Sequence, residues 1–313
     1  MALGPLALLP YPFDATFMER ALVAGLVVGV FAPIIGTFLV QKRMALIGDG
    51  IGHLAFAGVG AGLLVGVWPL WGALVLAVGG AIAVERMRAR RKASGDLALA
   101  WIFYTGIALG VVLVGLAGSL NANLFSYLFG QVLLVTGSEL ALIVPLGIVV
   151  TVVVLVLRRP LLAVVTDEDW ARVAGLPVDL LNMMLAVLTA VAIVTAMRVV
   201  GILLVAALMV LPVASGQLLA RSFRGTMAWS VGIGIASVVG GLAISRLWGF
   251  APGGTIVLLA SAVFAVVALT TSRRPDRAIR AIGLRVDEPA PQHGSGHDSD
   301  VSGAPVLGDS QSD

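Results

Sequence analysis

Asp49 and His53 stand four residues apart inside the otherwise apolar segment 45–67. On an α-helix that spacing puts both side chains on one face. A carboxylate oxygen and an imidazole nitrogen are both competent ligands for a divalent transition metal ion, and neighbours at i and i+4 can reach the same ion. Two other chemistries use the same residues: a buried Asp–His hydrogen bond that fixes helix packing, and a proton relay. If the helix begins near Met44, His53 lies nine residues along it, ~14 Å up the axis and close to the midplane of a bilayer. A central Asp costs ~2.5–3.5 kcal/mol on insertion scales, so such a pair must face a partner or a wet cavity. Gly52 and Gly58 flank the pair, thinning the helix so that a substrate or pore is expected to come near.

A second group lies further on. Thr166 is the expected N-cap of a short helix at about 166–175, with Asp167, Glu168 and Asp169 in its first turn, Gly175 as its stop and Pro177 beyond. A short capped helix between two membrane spans has the shape of a docking element, and an ordinary surface helix has the same signature. A third group, His293 and His297 beside Asp298 and Asp300, belongs to a tail whose composition predicts a solvated chain able to hold metal weakly.

The elements that position these residues follow from composition. Of 313 residues, 59% are hydrophobic and 12% charged, and the mean hydropathy is +1.04. That leaves too few polar side chains to cover a water-facing globule, and the recurring apolar runs are long enough to cross ~30 Å of hydrocarbon. A soluble enzyme, a disulfide scaffold and a disordered protein are excluded, and an all-α polytopic membrane protein is predicted. The absence of cysteine removes disulfides and thiolate ligands. No Lys or Arg precedes Arg20, so no charged signal-peptide region is expected.

Nine apolar segments can be marked, roughly 18–40, 45–67, 69–84, 97–118, 139–157, 178–197, 199–219, 226–245 and 253–271. Nine crossings satisfy the charge pattern that follows; only Arg198 interrupts the long run 183–219, which leaves eight crossings as the alternative. Residues 121–137 are apolar but rich in Asn, Ser and Gly, as an interfacial or re-entrant stretch would be. Basic residues fall in every second gap: Lys42 with Arg43, the run 86–92, Arg158 with Arg159, Arg221 with Arg224, and the run 273–280. This pattern predicts an extracytoplasmic segment 1–16, a transmembrane body 17–275 and a cytoplasmic C-terminus. The tail 285–313 is Pro-, Gly-, Ser- and Asp-rich and is expected to be disordered. Gly58, Gly62 and Gly66, and Gly25 with Gly29, have the small-xxx-small spacing that brings membrane helices close, within the chain or between two copies.

Neither Lys42 nor Lys92 follows a glycine, so the chain cannot form a P-loop of its own. Transport would draw on an ion gradient, with Asp49 as proton site, or on a separate ATPase. There is no HExxH and no second membrane histidine to serve a nucleophilic Ser, which disfavours an intramembrane enzyme.

The stretches 17–25 and 36–49, the latter from Gly36-Thr37-Phe38 to Ile47-Gly48-Asp49, are similar to the first helix and following turn of the integral-membrane permeases of zinc/manganese-type ABC importers, the ABC-3 family. Ala171 and Gly175 have the Ala-x-x-x-Gly spacing of importer coupling helices. Arg198-Val199-Val200-Gly201, Leu211-Pro212-Val213-Ala214 and Pro252-Gly253-Gly254-Thr255 resemble further family signatures. The family commonly reads Ser-His-Ala-x-Leu-Pro-Gly where this chain has Gly52-His53-Leu54-Ala55-Phe56-Ala57-Gly58, keeping His53 and Gly58. The resemblance implies a non-enzymatic permease in a bacterial plasma membrane. It implies Asp49 and His53 as metal ligands on the pathway, and Asp167, Glu168, Asp169, Ala171 and Gly175 as the ATPase-coupling element. It also implies a second permease copy, a cytoplasmic ATPase and an extracytoplasmic metal-binding protein as partners. The cargo would be Zn²⁺ ahead of Mn²⁺, with no permanently bound cofactor and no nucleic-acid partner.

Overall fold

The computed structural model describes residues 12–89, 95–118, 127–130 and 132–271, all within one compact unit that ends at Arg273. The tail, with His293 and His297, and most of the segment 1–16 lie outside the described residues. The described chain is helical: α1 (Thr16–Gln41), α2 (Ile47–Val65), α3 (Pro69–Ala89), α4 (Gly95–Leu116), a 3-10 turn at Val132–Leu134, α5 (Gly137–Val156), α6 (Arg158–Thr166), α7 (Glu168–Val173), α8 (Val178–Met197), α9 (Ile202–Leu219), α10 (Phe223–Trp248) and α11 (Pro252–Thr271).

The helix ends follow local chemistry. Pro69 and Pro252 occupy first helical positions, where a missing N–H costs nothing. Thr136 and Glu139 form a reciprocal capping box that starts α5, and the Ser222 hydroxyl accepts from the Gly225 N–H at 3.2 Å to start α10. Gly66 and Gly249 end α2 and α10 in the left-handed region. Among the described residues eight helices are long and apolar enough to cross a membrane, while α9 offers the shorter apolar stretch Leu204–Leu219. The run that sequence left as one crossing or two is therefore divided, at the turn 198–201. Gly201, at φ +94°, permits that turn, and the 127–130 segment packs against it through Gly130.

Buried α1, α2 and α8 form the interior, with α3, α4, α5 and α11 exposing most of their apolar surface around them. The small residues serve contacts within the chain. Gly29 of α1 approaches Gly234 of α10, and Gly58 of α2 meets the Gly72 backbone of α3. Gly66 is the α2 cap and takes no part in a ridge. Gly58 and Gly52 thus admit neighbouring helices, Gly52 facing Ile202 and Ile193. The expected helix over 166–175 is also revised. Thr166 belongs to the end of α6 and bonds back to the Leu162 carbonyl at 2.8 Å. Asp167 is the cap instead, accepting from the Trp170 N–H at 2.9 Å, because its extended backbone breaks the helix where α6 turns into α7. Gly175, at φ +80°, is the stop that sequence predicted.

Replacing Gly58 by Leu drives a side chain into the α3 backbone, and overpacking of this kind costs about 1–3 kcal/mol or more. Thermal unfolding in detergent should show a clear loss for Gly58→Leu, whereas Gly79→Ala, which meets nothing within 4 Å, should melt at or above the wild-type temperature.

Candidate functional site

Successive α2 residues turn by about 100°, so Gly48 and Gly52 share one stripe, Asp49 and His53 the next, and Gly50 lies beyond. The neighbours follow that order. A Cβ on Gly48 would touch Ala206 of α9 at 3.4 Å, and one on Gly52 would meet Ile202 at 3.2 Å. One on Gly50 would press on Ile102 of α4 at 2.8 Å. The Asp49–His53 stripe is left between α9 and α4, and both residues are half-buried. The His53 ring stands edge-to-face against Phe103 of α4, with centroids 4.7 Å apart. Gly106, one turn further along α4, leaves room for the His53 Cβ, which a side chain there would meet at 3.0 Å. Among the described residues no group of three or more His, Cys, Asp and Glu forms, so within one chain this stripe carries the two side chains Asp49 and His53.

At the end of the bundle where the basic residues gather, α7 is fixed by a charge network that sequence did not reveal. Lys42, at the end of α1, donates to the Glu168 carboxylate at 3.1 Å and to the Asn182 side-chain oxygen at 2.5 Å. The Asn182 amide donates to Glu168 at 3.2 Å, and Arg88 of α3 lies 3.8 Å from Glu168 while pairing with Glu85 at 3.0 Å. Lys42 is only 6% exposed. Burial lowers its pKa, aided by Arg88, while the Glu85 and Glu168 carboxylates oppose the shift. Burial also pushes the Glu168 carboxyl up, but the charge and hydrogen bond of Lys42, with Arg88 and Asn182, outweigh that and hold it below its ordinary value. Arg172 adds a surface staple to Asp179 of α8 at 3.0 Å.

The five residues expected to act as one coupling element therefore divide. Glu168 turns toward the bundle, and Ala171 is fully buried beneath α7. Asp167, Asp169 and Gly175 are exposed. The apolar surface that α7 offers outward is Trp170, 62% exposed, and Val173, 88% exposed, neither of which sequence singled out. A large apolar residue held open on a charged helix was the available signal. Arg198, at the far end, is likewise no lone interruption. It pairs with Glu139 at 2.5 Å and lies 4.8 Å over the Tyr127 ring.

An all-helical bundle with a polar stripe on an interior helix is the architecture of a multi-pass membrane protein. Residues 14–271 match the ABC 3 transport family, and the chain belongs to that family. It is 31% identical over 250 or so residues, 80% of this chain and 86% of the relative, to the manganese transport system membrane protein MntC of Halalkalibacterium halodurans. To the high-affinity zinc uptake system membrane protein ZnuB of Haemophilus influenzae it is 29% identical, over 78% of this chain and 94% of that one. The solved structure of PsaBC from Streptococcus pneumoniae in complex with Fab superposes with a TM-score of 0.73 at 30% identity, covering 81% of this chain and 91% of that chain.

Because the folded Glu168 pKa is depressed, its stabilisation is complete above the ordinary Glu value of about 4.3 and is lost as pH falls through the lower folded value. Glu168→Gln should cost about 1–2 kcal/mol at pH 7 and show a smaller further loss than wild type when melts are repeated toward pH 3.

Proposed function

We propose that this chain is the permease subunit of an ATP-driven importer that carries Zn²⁺ or Mn²⁺ into a bacterial cell. The observation that carries the reading is the half-buried Asp49–His53 stripe on α2, a polar pair inside a membrane span of a member of this transport family. Oxygen and nitrogen donors suit Zn²⁺ and Mn²⁺ alike. Zinc and manganese are each named for one of the two relatives, so both stay in the proposal.

Two ligands are too few to strip an ion of its water. Closed two-fold symmetry would bring a second Asp49 and His53 against the first, making a four-ligand site on the axis between two permease copies. The site has to be weak, since tight binding would trap the ion between entry and exit. The basic end is the cytoplasmic one by the distribution of Lys and Arg. There α7 would dock on a separate ATPase through Trp170 and Val173, with Glu168 and Ala171 transmitting its movement to α1, α3 and α8. The ATPase supplies the hydrolysis, and an extracytoplasmic metal-binding protein delivers the ion to the opposite end. In this reading Asp49 is a ligand, and proton coupling has no part.

Two outcomes test the proposal. In vesicles containing the permease and its ATPase, His53→Ala and Asp49→Asn should each cut ATP-dependent uptake of ⁶⁵Zn or ⁵⁴Mn by tenfold or more with normal membrane insertion. Uptake at the wild-type rate removes the pair from the pathway. Trp170→Ser with Val173→Asp should abolish ATPase co-purification while leaving the melting temperature unchanged, because both side chains are exposed; Ala171→Leu should instead destabilise the permease itself.

A further inference from the structure

A groove of about 670 Å³ opens on the basic end of the bundle, between α1, α6 and α10. Its rim carries three guanidinium groups, Arg158 and Arg159 at the start of α6 and Arg224 at the start of α10. Its floor is apolar, built from Ile34, Leu162, Met227 and Val231. Ile34 lies seven residues inside the end of α1, and Val231 seven residues inward from Arg224. The floor therefore reaches ~10 Å along the spans from the charged rim. That is the spacing between a phosphate at headgroup level and the upper part of an acyl chain. The ion pairs among the described residues use other arginines, and none of these three has a carboxylate partner.

We propose that this groove is a binding site for one anionic phospholipid, its phosphate held by Arg158, Arg159 and Arg224 and one acyl chain laid along Ile34, Leu162, Met227 and Val231. Charge complementarity selects the occupant. A guanidinium offers a planar fork of donors that matches a phosphate, and a basic pocket between spans at the headgroup level is the arrangement that binds acidic lipid. A second copy of this chain would bring the same three positive charges against the first. A soluble protein could meet the rim but could not follow the floor into the hydrocarbon. Positive residues at this end also orient the chain in the membrane, but that role needs no groove and no apolar floor. The site does not depend on the transported ion: α6 leads directly into α7, and a lipid seated here would brace α6 against α10.

The test uses the full-length permease, purified without cargo or ATPase, with native mass spectrometry of retained phosphatidylglycerol and phosphatidylcholine of identical acyl chains. Wild type should retain one phosphatidylglycerol per chain in preference to phosphatidylcholine. Arg158→Gln, Arg159→Gln and Arg224→Gln should each lower that preference about fivefold, as one surface charge near an acidic lipid does. The corresponding Lys variants should keep most of it. Ala228→Trp, which fills the groove and leaves the rim intact, should lose the lipid too. Millimolar glycerol 1-phosphate should fail to displace the bound lipid. Equal retention of both lipids by wild type, or full retention by the triple Gln variant with an unchanged melting temperature, overturns the proposal. So does displacement by the soluble headgroup, which marks a free-phosphate site, or a loss of dimer in Ala228→Trp with the lipid count unchanged, which marks a second copy as the occupant.

Discussion

Close helix contact through glycine is the constraint on which the rest of this molecule depends. In hydrocarbon the helices gain little from burying apolar side chains against one another, because lipid is equally apolar, so packing contact has to hold the bundle. Here α2 is gripped on three sides: by α9 at Gly48 and Gly52, by α4 at Gly50, and by α3 at Gly58. Each contact fixes the rotation of α2 about its own axis. The rotation in turn decides that Asp49 and His53 stay half-buried between α9 and α4 and do not turn into the apolar interior, where their desolvation would be costly. Phe103 and Gly106, one turn apart on α4, complete the setting: Phe103 packs edge-to-face with the imidazole and Gly106 leaves room for the His53 Cβ.

The same helix is tied to the basic end through a short route. Lys42, where α1 ends, holds Glu168 of α7, and only the turn through Arg43 to Leu46 separates Lys42 from the first residue of α2. That turn carries Arg43 at φ +58°, a left-handed conformation that a side chain adopts at a cost, closed by backbone bonds from the Arg43 N–H to the Val40 carbonyl at 3.0 Å and from the Met44 N–H to the Leu39 carbonyl at 2.8 Å. A displacement of α7 thus has a mechanical path to α2 six or so residues long. The buried ammonium makes the path stiff: pulling Glu168 away would strand Lys42 in a site that already disfavours its charge. In the proposed function this is how work done by an ATPase reaches the ion ligands.

The sequence carried the helices and the polar pair, and it did so for physical reasons. Long apolar runs leave few structural options in a bilayer, and the i,i+4 spacing of Asp49 and His53 fixes a shared face whatever packs around it. Family membership was readable from 17–25, 36–49, 198–201 and 252–255, and the last two of these hold the Gly201 turn and the close approach of Gly253 to Val200. The gripping partners of the glycines were not readable, because spacing within one helix says that a close approach exists and leaves open which helix makes it. Thr166 and Asp167 are both good caps, and only the backbone break between α6 and α7 decides for Asp167. The Lys42–Glu168–Asn182 cluster joins residues up to 140 positions apart, so no local pattern announces it.

Coordination of the transported ion by His53 is the central claim, and nitrogen coupling to bound Mn²⁺ tests it without reference to rate. In the assembled transporter, with His293 and His297 replaced by Gln so that the tail contributes no imidazole, electron spin-echo modulation of Mn²⁺ should show directly coordinated ¹⁴N. The same signal should vanish in His53→Gln. Nitrogen modulation that persists at full depth in His53→Gln, or that is missing when His53 is present, would contradict it.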